Sequence, residues 1–318
     1  MGRVDGIKPF IVMDLLARAR GREGVVHMEI GEPDLPPSPR VLEALKRAVD
    51  EGKYRYAPAA GLPELREKIA EHYERYYGVK VEPERVVVTT GSSGALLAVF
   101  AVLLEAGEKL LLQDPSYPCY ANFARLFNAV PESLPVGEEE GFLLSPEKLK
   151  GREGKVLLLA SPQNPTGRLY PPGRLKELAE LCEQKGCYLV VDEVYHGLVY
   201  GGREQTALSV YDEAIVINGF SKFFCMPGFR VGWAVLPKRL VRKVELIIQN
   251  AFISAPTPGQ YAALEAFDYE HLKRVRETYR RRRDYLTQEL KKLFRVPVEP
   301  EGAFYVWADA SRYADDAY

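Results

Sequence analysis

An α/β fold is what this 318-residue sequence predicts: a three-layer αβα domain around a mostly parallel sheet, with a smaller α+β unit beside it. Three observations predict it. Short apolar runs recur along the chain, each bounded by turn residues. Helical stretches separate them, and residues able to do chemistry fall directly after the runs.

The elements can be taken in order. Residues 31–39, from Gly31 to Pro39, carry four prolines and cannot be helical until after Pro39, so an irregular segment bordering a cleft is expected. Strands are expected at 86–90, 109–113, 156–160, 188–192, 214–218 and 231–236. These runs are apolar throughout rather than alternating, which describes strands covered on both faces. An apolar helix is expected from near Gly94 and an amphipathic one over 172–185. After about residue 267 the pattern becomes a long charged helix, 269–294, followed by short apolar stretches at 296–298 and 303–307. The division that results is a large unit over 41–268 and a small one built from 1–40 and 269–318. The last residues read as the first turn of a further helix.

Composition excludes several functions. A net charge of -1 gives no support for nucleic acid or an anionic membrane as partner. Four consecutive arginines at 280–283 spread over every face of a helix beside Glu277, Asp284 and Glu289, which describes a salt-bridged surface. The first six residues lack an apolar signal core, and Gly6 fails the hydroxyl residue of a myristoylation signal. The longest apolar run, 95–104, is too short to span a bilayer. A cytoplasmic protein is expected. Cys119, Cys182, Cys187 and Cys225 are too scattered for a disulfide framework, and His27, His72, His196 and His271 fall in no metal-ligand spacing, so no metal is expected. His196, next to Tyr195, reads as structural or as lying on the rim of a site.

The chemistry lies where the strands end. Gly91-Ser92-Ser93, Asp114, 161–164, 192–195 and 219–222 each follow a strand, and ligands in open α/β sheets bind beyond the carboxyl ends of the strands. Gly91-Ser92-Ser93 leads into the apolar helix, whose free N–H groups and dipole favour an anion; without a P-loop lysine, a lone phosphate fits better than a triphosphate. Lys222 follows a buried strand and is flanked by Phe220, Phe223 and Phe224. Burial, with Arg230 nearby, lowers its pKa and makes a nucleophile for a carbonyl. Asp192 can pair with a ring nitrogen, and Asn164 and Tyr195 can donate to a phenolate. Together these residues form an inventory for holding pyridoxal phosphate.

Five stretches occur in order: YRYAPAAGLPELRE (54–67), SPQNPTG (161–167), DEVY (192–195), NGFSK (218–222) and PGFRVGW (227–233). On these the chain resembles the fold-type I, pyridoxal-phosphate-dependent aminotransferases of the class I/II superfamily, from about Gly31 to Trp307. The resemblance implies that Lys222 forms the internal aldimine and later shuttles a proton. It implies that Asp192 pairs with the pyridine nitrogen and keeps it protonated, while Asn164 and Tyr195 hydrogen-bond the phenolic oxygen. Tyr117 would stack on the ring, and Gly91, Ser92, Ser93 and Arg230 would hold the phosphate. Tyr56 would reach the phosphate of a neighbouring subunit, implying a homodimer, and Gly31 would border the substrate carboxylate together with Asn164.

Two departures stand out. The family often has a serine three residues before the lysine, where this chain has Gly219; Ser221 is a candidate to compensate. The arginine that binds the substrate's α-carboxylate has no counterpart before the chain stops at Tyr318, so an incomplete chain is expected, with Arg312 as an alternative stand-in. The implied activity is transfer of an amino group from an L-amino acid to a 2-oxo acid. The competing readings are a C–S β-lyase on the same scaffold and a catalytically impaired cofactor-binding homologue.

Overall fold

The computed structural model describes residues 3–202 and 204–314, with side chains from residue 5. The helical turn expected at the chain's last residues lies outside the described residues. Seven strands form one sheet: β1 (Val86–Thr89), β2 (Lys109–Asp114), β3 (Val130–Pro135), β4 (Val156–Ala160), β5 (Tyr188–Asp192), β6 (Ile215–Gly219) and β7 (Gly232–Val235). Their order is β1-β7-β6-β5-β4-β2-β3, with β7 antiparallel to both neighbours and every other pairing parallel. Six of the seven strands were expected. β3 was not, because Pro131 and Pro135 argue against a strand; it occupies the sheet edge, where a missing N–H is tolerated.

Ten α-helices accompany the sheet among the described residues: α1 (Ile11–Ala19), α2 (Pro39–Asp50), α3 (Pro63–Tyr77), α4 (Gly91–Leu103), α5 (Cys119–Leu126), α6 (Pro146–Leu149), α7 (Pro172–Lys185), α8 (Lys238–Ala251), α9 (Thr257–Ala263) and α10 (Tyr269–Leu290). The α2, α3, α6 and α7 helices open with proline in the first turn, where its missing N–H costs nothing. α3 and α7 end on left-handed glycines, Gly78 and Gly186. α10 ends at Leu290 rather than near 294, and Asp268 caps its start by accepting from the His271 N–H at 3.2 Å.

Alternate residues of each strand face opposite cores. Val86, Val88, Leu157, Leu159, Val191 and Val216 pack with the buried faces of α3, α7, α9 and α10. Val87, Leu110, Leu112, Val156, Leu158 and Val190 pack with α4, α5 and α8. Helix, sheet and helix therefore stack in three layers. Because both faces are covered, the strands read as continuous apolar runs.

After α10 the chain folds back over the loop following β5. Val199 and Gly302 form an isolated antiparallel bridge, and the Ala303 N–H donates to the Leu198 carbonyl at 2.8 Å. A Cβ on Gly302 would lie 2.6 Å from Pro162 Cγ, so only glycine lets the two loops approach this closely. The segment places Phe304 and Tyr305 above the carboxyl ends of the central strands.

Candidate active site

A cavity of about 370 Å³ opens at that end of the sheet. It collects residues from five strand ends: Ser92 and Ser93 after β1, Tyr117 after β2, Asn164 after β4, Asp192 and Tyr195 at β5, and Ser221 and Lys222 after β6. Gly31 comes from the irregular segment before α2, and Arg230 lies two residues before β7. The convergence expected from the strand-helix rhythm is thus present.

Lys222 occupies a desolvated position. Its Nζ donates to the Gly31 carbonyl at 2.5 Å and lies 5.8 Å from the ring centroids of both Tyr195 and Phe304. Burial brings the amine from 10.5 down to about 8; Arg230 adds to the depression, while Glu32 and Asp192 oppose it. About a tenth of the amine is therefore neutral and nucleophilic at pH 7, far more than for a free lysine.

Asp192 ends β5, 5% exposed. Its carboxylate accepts from the Tyr120 hydroxyl at 2.7 Å and the Val194 N–H at 3.0 Å. Burial raises its pKa, and the two hydrogen bonds together with Lys222 pull it back. It is a fixed, shielded acid able to face a protonated ring nitrogen.

The anion-binding end is made by close backbone approach. α4 begins at Gly91, a turn earlier than expected, so Gly91, Ser92 and Ser93 form its first turn rather than a loop before it. Gly91 adopts φ +67°, and a Cβ there would sit 2.6 Å from Arg230 Nη2. A Cβ on Gly232 would sit 2.6 Å from the Gly91 carbonyl carbon and 2.7 Å from the Ser92 nitrogen. These glycines allow a guanidinium, two hydroxyls and a helix N-terminus to share one spot, which is a cradle for a phosphate. No acidic residue lies in that first turn. Amine, acid and phosphate cradle line one cavity, so the residues present fit pyridoxal phosphate.

Comparison with known proteins agrees with this geometry. Residues 23–318 match the model of the family described as aminotransferase class I and II. The chain belongs to that family. Relatives of this aminotransferase include a probable aspartate/prephenate aminotransferase of Thermus aquaticus, 38% identical over 325 residues, covering 98% of this chain and 85% of the relative. A valine–pyruvate aminotransferase of Mycobacterium tuberculosis is 36% identical over 324 residues, covering 98% and 84%. The crystal structure of Thermus thermophilus aspartate aminotransferase with maleate superposes with a TM-score of 0.94 at 37% identity, covering 99% of this chain and 86% of that one. Enzymes of this family use pyridoxal 5′-phosphate, and this aminotransferase is a transferase of amino groups.

The aminotransferase also holds site residues that its sequence did not announce. The Tyr305 hydroxyl lies 2.5 Å from that of Tyr195 and accepts from Asn164 Nδ2 at 3.5 Å. The two residues expected at a phenolic oxygen are thus joined by a third. Tyr120, the partner of Asp192, lies 72 residues from it in sequence. Phe10 and Glu32 line the cavity as well. Two of these had a local signal: Glu32 lies in the 31–39 segment expected to border a cleft, and Tyr120 lies three residues after Tyr117, the two rings meeting edge to face at 5.2 Å.

One alternative ends elsewhere. Arg312 does not stand in for a carboxylate-binding arginine; it is exposed and lines a separate surface hollow with Lys291 and Arg295, pulled there by the turn after α10. Tyr56 is 80% exposed and does not line the cavity of its own chain. His196 is buried behind the site, its Nδ1 3.0 Å from the Tyr77 hydroxyl, and burial lowers its pKa to about 3. Ser221 lines the cavity, 6% exposed.

Proposed function

We propose that this aminotransferase moves an amino group from an L-amino acid to a 2-oxo acid with Lys222 as the covalent anchor and proton carrier. The observation that carries the assignment is the low-pKa amine of Lys222 in one cavity with buried Asp192 and the Arg230–α4 cradle. When bound, pyridoxal phosphate supplies an aldehyde and an electron-accepting ring. Lys222 would be the amine that holds the aldehyde carbon and, when free, the base that moves a proton. Asp192, held by Tyr120 and Val194, would face the ring nitrogen and favour its protonated form. Asn164 and Tyr195 would donate to the phenolic oxygen, with Tyr305 orienting Tyr195. Gly91, Ser92, Ser93, Ser221 and Arg230 would hold the phosphate, Tyr117 would pack against the ring, and Gly31 and Asn164 would border the substrate carboxylate.

A homodimer belongs to this proposal. Tyr54 and Tyr56 are 67% and 80% exposed, which supports a role for Tyr56 at the phosphate of a second subunit. So do a cytoplasmic location, supported by four free cysteines, and the division into 41–268 and 1–40 with 269–318. No helix among the described residues is long and apolar enough to cross a membrane. The named relatives act on aspartate, prephenate or valine, so the family does not by itself choose the donor. The test is product stoichiometry: the cofactor-loaded chain given one L-amino acid should yield one equivalent of its 2-oxo acid. Continuous release of ammonia would instead assign an eliminating lyase.

A further inference from the structure

The cavity offers more than a cofactor seat, and its remaining walls bear on the donor. The basic side chains among the described residues that line it are Lys222 and Arg230. Both have employment in the reading above, on which this inference rests: Lys222 as the reacting amine, Arg230 beside Gly91 in the phosphate cradle. Asn164's amide and the backbone at Gly31 can serve one substrate carboxylate. Among the described residues of this chain, a second carboxylate would meet no further cation in the cavity, and would face Glu32, which lies close enough to act on the Lys222 charge.

Beside the serines, Asp192 and the tyrosine hydroxyls, the wall carries an apolar patch, part of it held in place by specific contacts. Asn122 on α5 clamps the backbone of Lys8, accepting from its N–H at 3.1 Å and donating to its carbonyl at 2.9 Å. Two residues on, Phe10 closes edge to face on Tyr117 with ring centroids 5.8 Å apart. Ile30 comes from the other direction, presented by a tight turn in which the Glu32 N–H donates to the Ile30 carbonyl at 3.1 Å. Leu96 of α4 lines the floor. An uncharged hydrocarbon or aromatic side chain gains from such a surface, whereas a carboxylate loses its hydration without a partner.

We propose that the amino donor is an L-amino acid with an uncharged apolar or aromatic side chain, selected by the Phe10–Ile30–Leu96–Tyr117 wall, and that dicarboxylic donors are disfavoured. Each hydrophobic group gained or lost in such a pocket changes discrimination by about tenfold or more.

Two measurements on the cofactor-loaded chain test this. The first follows the spectral change with L-valine, L-leucine and L-phenylalanine against L-aspartate and L-glutamate. The apolar set should convert with at least about tenfold higher second-order rate constants. Equal or faster conversion of aspartate or glutamate overturns the donor assignment while leaving the aminotransferase reading intact. The second measures equilibrium binding of unreactive acids, 3-phenylpropionate against succinate, by the perturbation they cause in the cofactor's absorbance. It decides the question even if no amino acid reacts, an outcome that would sink the aminotransferase reading. Tighter binding of succinate overturns the inference. Phe10→Ala should narrow the preference for L-phenylalanine over L-alanine about tenfold; an unchanged ratio removes Phe10 from the wall.

Discussion

Tyr120 donates its hydroxyl proton to Asp192 Oδ2 across 2.7 Å, joining α5 to the end of β5 beneath the cavity. The bond does two things. It satisfies a buried carboxylate, and it opposes the rise in pKa that burial imposes on Asp192. Tyr120→Phe keeps the ring and removes the donor. A hydrogen bond to a charged group contributes about 1.5–3 kcal/mol, so the variant should unfold more easily by roughly that amount. It should also bind pyridoxal phosphate more weakly, since the acid facing the ring nitrogen is less firmly ionised. Denaturant melts and a cofactor titration check this; wild-type values in both would show that the bond carries nothing.

The pH dependence of cofactor capture follows from Lys222. Its amine titrates at about 8 in the folded protein instead of 10.5, mainly through burial. The rate of capture should therefore rise with pH and level off above a midpoint near 8; a midpoint near 10 would contradict the buried placement. The sign for stability is also set. Between about 8 and 10.5 the unfolded chain holds a proton that the folded chain has lost, so this group favours folding more as pH rises through that window.

Gly219 stands where a serine would add a phosphate hydroxyl. Its antiparallel partner across β6 and β7 is Gly232. A Cβ at 219 would lie 3.2 Å from Gly232 Cα and 3.4 Å from the Val231 carbonyl oxygen. Gly232 itself is pressed against Gly91 and Ser92, so the strand has little room to yield. Gly219→Ser should cost about 1–3 kcal/mol of stability and bring no gain in cofactor affinity. Tighter binding without loss of stability would show that the strand can move.

Behind the site, Glu193, His196 and Glu204 form a second buried ionisable group. Both Glu204 oxygens accept from the Gly197 N–H, at 3.1 and 2.9 Å, and burial raises its pKa from 4.5 to about 7. The folded chain holds the extra proton between those values. Its stabilising effect is full below 4.5 and is lost as pH rises through about 7. Glu204→Gln should abolish that dependence, gaining on wild type by on the order of 3 kcal/mol between pH 4.5 and 8. Parallel stability curves for the two proteins over this range would contradict it.

How far the site could be read from sequence depends on how local each signal is. Lys222, Asp192 and Arg230 each sit at a strand end inside a short motif, so strand prediction alone brings them together. Tyr305 gave no such signal, because its place depends on the Val199–Gly302 bridge returning the chain over β5. Tyr120 acts through a partner 72 residues away. β3 was hidden by prolines that only an edge position excuses, and the α4 start was misplaced because Gly91 adopts a left-handed conformation at the helix's first residue. Phe10's role depends on Asn122 clamping Lys8, a contact over 114 residues.

The most direct test is an absorbance spectrum of the chain mixed with pyridoxal phosphate, for wild type and Lys222→Ala, before and after adding L-amino acids. The account predicts a visible band that requires Lys222 and is replaced by that of the amine form of the cofactor when a donor is added. A band independent of Lys222, or one that no amino acid changes, would contradict it.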